Sequence, residues 1–346
     1  MALSKQQRQA IIDSLLNEIG KDRFLGDFTV NRFSASHGLS KQSIYRYLAS
    51  LESEIKIKKI KKGRKNTYRL EDTAFQFKYP LANLSEGVVW NKEIKPLLKG
   101  IPDIAMSICN YAFCEMLNNA IDHSEGSEVN INVVINAYSV SFLIADDGIG
   151  IFAKIAQAIQ LEEKRFAILE LAKGKFTTDP GSHSGEGIFF SAKTSDIFGI
   201  SSDELVFTSS SFLDNEQLRD YKSPYRGGTA VVFMVFRDHN TPISEVFDKY
   251  TQDPEDYGFT KTVVPVKLLE HGDPNPTFVS RSQAKRLLAR FDRFERIELD
   301  FSDIDEIGQG FADEVFRVFQ TQHPNSQIVA VNCSKPVERM INRVTR

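Results

Sequence analysis

The chain has 346 residues and a net charge of −3, and its 41% hydrophobic content with 26 Phe is enough apolar mass for two or three packed domains. No apolar run approaches the ~20 residues that cross a bilayer, and no signal-peptide core follows "MALSKQQRQA". Cys109, Cys114 and Cys333 have neither metal-ligand nor disulfide-framework spacing, so a reduced, soluble, cytoplasmic protein with no membrane partner is expected.

Charge is unevenly distributed. Between Met1 and Asp72 there are 15 Lys+Arg against 8 Asp+Glu, a local +7, so the remainder is acidic and the head is expected to meet a polyanion. "SKQQRQAIIDSLLNEIG" (4–20) predicts a capped helix ending at Gly20. "DFTVNRFSASHGLSKQSIYRYLASLES" (27–53) predicts helix, turn, helix, with Gly38 at the turn, Leu39 plugging it and Ser40 capping the second helix. On that second helix Ile44, Leu48 and Leu51 face inward. Lys41, Gln42, Ser43, Tyr45 and Arg46 are left at its outward N-terminal end, where a recognition helix meets base edges and phosphates. "EIKIKKIKKGRKNTYRL" (54–70) alternates apolar and basic residues around a Gly-Arg-Lys-Asn turn, which predicts a hairpin with Lys61, Lys62, Arg64 and Lys65 at its tip. Three helices followed by a basic hairpin resemble the winged helix-turn-helix of bacterial transcription regulators over residues 1–72. That resemblance implies double-stranded DNA as the partner.

The middle region, 73–250, opens its chemistry with "FCEMLNNAIDHS" (113–124). Phe113, Met116, Leu117, Ala120 and Ile121 recur at helical spacing, while Glu115 and Asn119 stack one turn apart beside Asp122. "EVNINVVINAYSVSFLIADDGIGI" (128–151) predicts two alternating strands joined at Ala137-Tyr138 and ending in an acidic, glycine-containing turn. "IFAKIAQAIQLEEKRFAILELAKGK" (151–175) predicts one long helical stretch, and "FTTDPGSHSGEGIFF" (176–190) a loop that opens a helix. "ELVFTSS" and "GGTAVVFMVF" supply further strands.

Glu115, Asn119 and Ala120, then "DDGIGI" (146–151), "SGEGI" (184–188) and "GGT" (227–229), stand in an order that resembles the GHKL ATP-binding superfamily of gyrase, MutL, large heat-shock chaperones, histidine kinases and anti-sigma kinases. The resemblance implies ATP and Mg²⁺. It makes Asn119 the metal ligand through its side-chain oxygen, Glu115 the general base and Asp146 the acceptor for the adenine amino group. Gly148 and Gly150 would form the turn beside the base. Gly185 and Gly187 would present N–H groups to phosphate at a helix start, and Thr229 would support the adenine site. Asp122 fills the polar position after the Asn-Ala pair. His183 stands where the second glycine box usually has its first glycine, and with Lys175 it could reach the γ-phosphate.

The tail, 251–346, alternates strand-like "TKTVVPVKLL", "RIELDFSDI" and "QIVAVNC" with helix-like "SRSQAKRLLARF", "GFADEVFRVFQ" and "KPVERMINRV", the pattern of a small α/β domain. "IELDFSDIDEIGQGFADEVF" (297–316) resembles the central strand and following helix of STAS domains, including anti-anti-sigma factors. Gln309 and Gly310 occupy the place of those factors' phosphorylated serine, and Gly308-Gln309-Gly310 is expected to offer backbone N–H groups to an acidic partner instead.

The expected fold is therefore multidomain α+β: a winged helix-turn-helix, then a GHKL α/β sandwich whose mixed sheet carries helices on one face, then a STAS-like domain. Two functions are compatible with it. One is an ATP-responsive DNA-binding regulator, with slow ATP hydrolysis open, whose tail docks on its own middle region or another protein, or forms a homodimer. The other is an anti-sigma-type serine or histidine protein kinase acting on a partner.

Overall fold

The computed structural model describes residues 4–346 apart from 27, 63–64, 177–184, 211–216, 220–226, 252–257 and 271–276. In the head, α1 (Lys5–Leu25) starts at a reciprocal cap between Ser4 and Gln7 and ends at Gly26, which has φ 66°. The helix therefore runs five residues past the expected stop at Gly20. A Cβ at Gly20 would lie 2.4 Å from the Tyr138 ring, so this glycine permits close packing on the next domain and does not end the helix. α2 (Val30–His37), the left-handed Gly38 and α3 (Lys41–Ser53), capped by Ser40, form the expected helix-turn-helix. β1 (Ile57–Lys62) and β2 (Lys65–Leu70) form an antiparallel hairpin. Leu15, Phe33, Ile44, Leu48 and Leu51 close a core over Ile57 and Tyr68.

The middle begins with β3 (Thr73–Pro80) and α4 (Glu86–Val89), which passes through a π turn (Trp90–Ile94) and a 3-10 turn (Lys95–Leu98). The long α5 (Asp103–His123) comes next, then β4 (Glu128–Ile135) and β5 (Ser139–Asp146). Residues 151–175 form two helices, α6 (Ile151–Ala158) and α7 (Phe166–Lys173), in place of the expected single one. The break has a local cause: Gln160 adopts φ 53°, and the Leu161 N–H donates back to the Ala156 carbonyl at 2.9 Å, which closes α6 with a Schellman turn. Beyond α7 lie α8 (Gly187–Thr194), β6 (Ile197–Ser202), β7 (Leu205–Ser210), β8 (Gln217–Arg219), β9 (Ala230–Phe236) and α9 (Ile243–Lys249).

The seven strands order as β3-β4-β5-β9-β6-β7-β8. All their pairings are antiparallel, so parallel and antiparallel strands are kept in separate sheets and not mixed within this one. Alternation sorts the two faces. Val140, Phe142 and Ile144 with Val231, Phe233 and Val235 pack under α5, whereas Met234 and Phe236 point the other way and, with Tyr138 from the turn before β5, meet Phe24 of α1.

In the tail, β10 (Lys261–Pro265), β11 (Arg296–Asp300) and β12 (Gln327–Val331) form a parallel sheet with β11 central. α10 (Arg281–Leu288), α11 (Gln309–Asp313) with a π turn (Glu314–Val318) leading into α12 (Phe319–Gln322), and α13 (Lys335–Val344) with Pro336 in its first turn cover it. Part of the Gly308-Gln309-Gly310 stretch is occupied within the chain. The Gly308 N–H donates to the Phe278 carbonyl at 2.7 Å, and a Cβ at Gly308 would lie 2.7 Å from Val279 Cα. The Gly308 N–H is thus taken by the chain itself, while Gln309 at the start of α11 is exposed. Among the described residues no helix is long and apolar enough to cross a membrane.

Candidate functional site

α5 runs beneath β5 and β9, and α8 crosses its C-terminal half. Where these four elements meet lies a cavity of about 280 Å³, near the small end of ligand pockets. Its walls include Glu115 and Asn119 from α5, Asp146 from the end of β5, Gly150, Gly185, Gly187 and, next to β9, Thr229. Residues up to 114 positions apart in sequence are thereby brought to one concavity.

Asp146 is set by backbone. Its Oδ1 accepts the Gly148 N–H at 2.9 Å and the Thr229 N–H at 3.1 Å, and its own N–H donates to the Thr229 carbonyl at 3.0 Å. Both carboxylate bonds use Oδ1, which leaves Oδ2 for a ligand donor. Burial pushes the Asp146 carboxyl above the ordinary aspartate range, against the lowering effect of the two N–H groups. Asp147 behaves oppositely. It accepts from Ser127 N–H at 2.7 Å, Ser127 Oγ at 2.5 Å and Glu128 N–H at 2.9 Å, and these hydrogen bonds hold it down to about 2. Asp147 fastens the turn before β4, and Asp146 faces the cavity.

Thr229 is an organiser as well as a wall: its Oγ1 accepts the Ile151 N–H at 2.9 Å, tying β9 to the start of α6. Gly148 lies outside the lining because it makes the turn possible: a Cβ there would sit 2.0 Å from the Ser124 carbonyl oxygen. Gly187, the first residue of α8, lies against Glu115, whose Oε2 would be 2.0 Å from an added Cβ. The carboxylate therefore rests at the positive end of α8. Asn119 Nδ2 is buried and, among the described residues, has no hydrogen-bond partner, so it is left for a water or a ligand acceptor.

Other expected residues lie elsewhere. Asp122 is exposed on α5. His183 falls outside the described residues. Lys175 turns away from the cavity: its Nζ donates to the Arg293 carbonyl at 3.0 Å and sits 4.9 Å from the Phe294 ring centre. Sequence reasoning missed Lys154, which lines the cavity while its Nζ donates to the His123 carbonyl at 2.7 Å and pairs with Glu125 at 3.0 Å. A single lysine in an amphipathic helix carries no signal that separates it from a solvated one. Phe176 and Ile155 supply apolar wall. Among the described residues no group of three or more His, Cys, Asp or Glu could hold a metal ion.

On the head, Lys41, Gln42, Tyr45 and Arg46 are exposed along the first half of α3, with Ser43 half-buried, and Lys61 is exposed on β1. Arg64 and the side chains of Lys62 and Lys65 lie outside the described residues.

Residues 283–338 match the family model of a STAS-like domain of unknown function. The C-terminal domain is STAS-like. The match takes in most of α10, all of β11, α11, α12 and β12 and the start of α13, and leaves β10 outside it. No curated protein matches the chain.

Proposed function

We propose that the chain is an ATP-responsive DNA-binding regulator, in which Mg·ATP held by a GHKL-type middle domain controls a winged-helix head. The observation that carries this reading is the convergence on one cavity of a backbone-fixed Asp146, a Thr229 that braces it, and Asn119 with its unpartnered amide nitrogen. The Asp146 carboxylate accepts the adenine amino group. Asn119 would hold Mg²⁺ through its side-chain oxygen, a hard ligand of the kind that metal takes. The N–H groups at the start of α8 suit phosphate, and Glu115, which lies against Gly187, is the group proposed to accept a proton from attacking water. The metal, when bound, neutralises phosphate charge; every orienting contact comes from the chain.

A route to the head supports the regulatory half. β5 and β9 carry the adenine-facing groups at one end and Tyr138 and Phe236 at the other. That far end meets α1 through Gly20 on Tyr138, and Asn17 Nδ2 donates to Asp238 at 2.9 Å.

The test is fluorescence anisotropy of genomic duplex fragments with and without Mg²⁺ and a non-hydrolysable ATP analogue, over a salt series. The expected result is steep weakening with salt, as phosphate neutralisation by the head requires, and an affinity that changes with the analogue. No DNA binding at low salt overturns the assignment of the head. Identical binding with and without the analogue overturns the regulation. Radiolabel transferred from ATP to another protein supports the kinase reading in its place.

A further inference from the structure

The cavity and the tail share a wall. Leu171, Phe176 and Phe189 line the cavity, while their neighbours Leu169, Ala172 and Phe190 belong to the hydrophobic core that the tail builds around Val264, Phe291 and Leu299. The strip from Lys173 to Phe176 is then fastened to the tail by polar contacts in both directions. Thr262 Oγ1 donates to the Lys173 carbonyl at 2.7 Å, and Lys173 Nζ donates to the Ala289 carbonyl at 2.9 Å. Arg290 donates to the Lys175 carbonyl at 2.7 Å and Arg293 to the same oxygen at 3.3 Å, while Lys175 Nζ returns to the Arg293 carbonyl at 3.0 Å.

Arg290 stands out among these. Its guanidinium holds Glu170 of α7 at 2.9 Å, the Lys175 carbonyl, and the ring of the cavity-lining Phe176 at 4.7 Å from the ring centre. Its backbone sits at φ 65°, a conformation costly for a residue with a Cβ and kept only where surroundings demand it. Glu170 and Lys173 are 3% and 1% exposed, and buried ion pairs lose in desolvation much of what they gain in attraction. Such a network contributes little adhesion beyond the apolar core beside it. What it fixes is register: which carbonyl of the strip lies where, and hence where Phe176 stands.

We infer that Arg290 is a positioning residue for the nucleotide cavity, through which the STAS-like tail sets the wall contributed by Phe176. The tail is then more than a passive appendage. Any partner or second copy that draws the start of the 3-10 turn at 291–293 away from α7 changes the cavity, and ligand in the cavity changes the tail's affinity for that partner by the same factor.

This inference rests on the nucleotide reading above, so its test has one arm that needs no nucleotide. Full-length Arg290→Met, Arg290→Lys and Arg293→Ala are compared with wild type by thermal unfolding, by hydrogen exchange of peptides spanning 169–176 and 185–190, and by calorimetry with Mg²⁺ and a non-hydrolysable ATP analogue. Arg290→Met is expected to keep a cooperative transition, to speed exchange in both peptides, and to weaken the analogue at least tenfold. Arg290→Lys should recover part of that loss, and the exposed Arg293→Ala, which loses only the longer bond, should weaken the analogue about threefold. Wild-type exchange and wild-type affinity in folded Arg290→Met overturn the inference. So does faster exchange with unchanged affinity, since the tail would then hold the strip without shaping the site. If Arg290→Met fails to fold, Arg293→Ala decides by the same criteria. If wild type itself does not bind the analogue, the nucleotide reading fails, and the exchange arm alone decides whether the tail positions this wall.

Discussion

Replacing Asp146 separates structure from recognition, and the two obvious substitutions are expected to differ. Asp146→Ala removes the acceptor for two backbone donors, Gly148 N–H at 2.9 Å and Thr229 N–H at 3.1 Å. A fully buried donor left unpaired costs about 1–3 kcal/mol, and both of these are half-buried, so this variant should lose up to about 6 kcal/mol. Asp146→Asn keeps a side-chain carbonyl oxygen for both donors and removes a carboxylate that burial disfavours. It should match or exceed wild-type stability at neutral pH while losing Mg·ATP, because an amide that offers its NH₂ on the ligand side opposes the adenine amino group. The pH dependence has a definite sign. A carboxyl raised above its unfolded value favours the native state most when protonated, so stability from this group is full below the unfolded aspartate range and is lost as pH rises through the folded value. The stability advantage of Asp146→Asn over wild type should therefore grow from acid to neutral pH. Denaturant unfolding of the three proteins at several pH values, with calorimetry at neutral pH, is the assay. If Asp146→Asn is as unstable as Asp146→Ala, the Oδ1 acceptor role is wrong; if it binds Mg·ATP like wild type, the adenine assignment is wrong.

Three further outcomes are expected. Glu115→Gln should keep Mg·ATP affinity within a few-fold and lower any hydrolysis by about 10²–10⁴, since it removes the base and spares Asn119; single-turnover assays check this. Gly20→Ala would ordinarily stabilise a helix interior by about 0.5–1 kcal/mol, but its Cβ would meet the Tyr138 ring at 2.4 Å, and overpacking of about 1–3 kcal/mol should reverse the sign; Gly87→Ala, with nothing within 4 Å, is the control in denaturant unfolding. Intact mass after incubation with Mg·ATP should not change. Gln309 and Gly310 have no hydroxyl to hold in line with a γ-phosphate, and a stoichiometric phosphate on a tail peptide would refute this.

Much of the chain's plan is carried by local signals. The Ser40 cap and the Gly38 turn specify α2 and α3, because caps act within four residues and need no partner. The order of strands and helices in the tail is written in its alternation of apolar runs, and the residues around β11 suffice to mark it STAS-like. Glu115 and Asn119 declare themselves as polar residues in a column beside the apolar stripe of α5.

What the sequence leaves undecided is contact at long range. Gly20 reads as a helix stop until Tyr138, from the β4–β5 turn 118 residues later, is laid against it. Lys175 reads as a phosphate ligand until the tail's Phe294 and the Arg293 carbonyl claim its ammonium. The Gly308 N–H reads as open at the start of α11 until the Phe278 carbonyl takes it. In each case the residue's type fits two environments of similar local energy, and only tertiary packing chooses between them. The same holds for Asp146 and Asp147: adjacent and chemically identical, one is pushed up by burial and the other held down by Ser127 and Glu128, a difference made by neighbours that the chain brings together only when it folds.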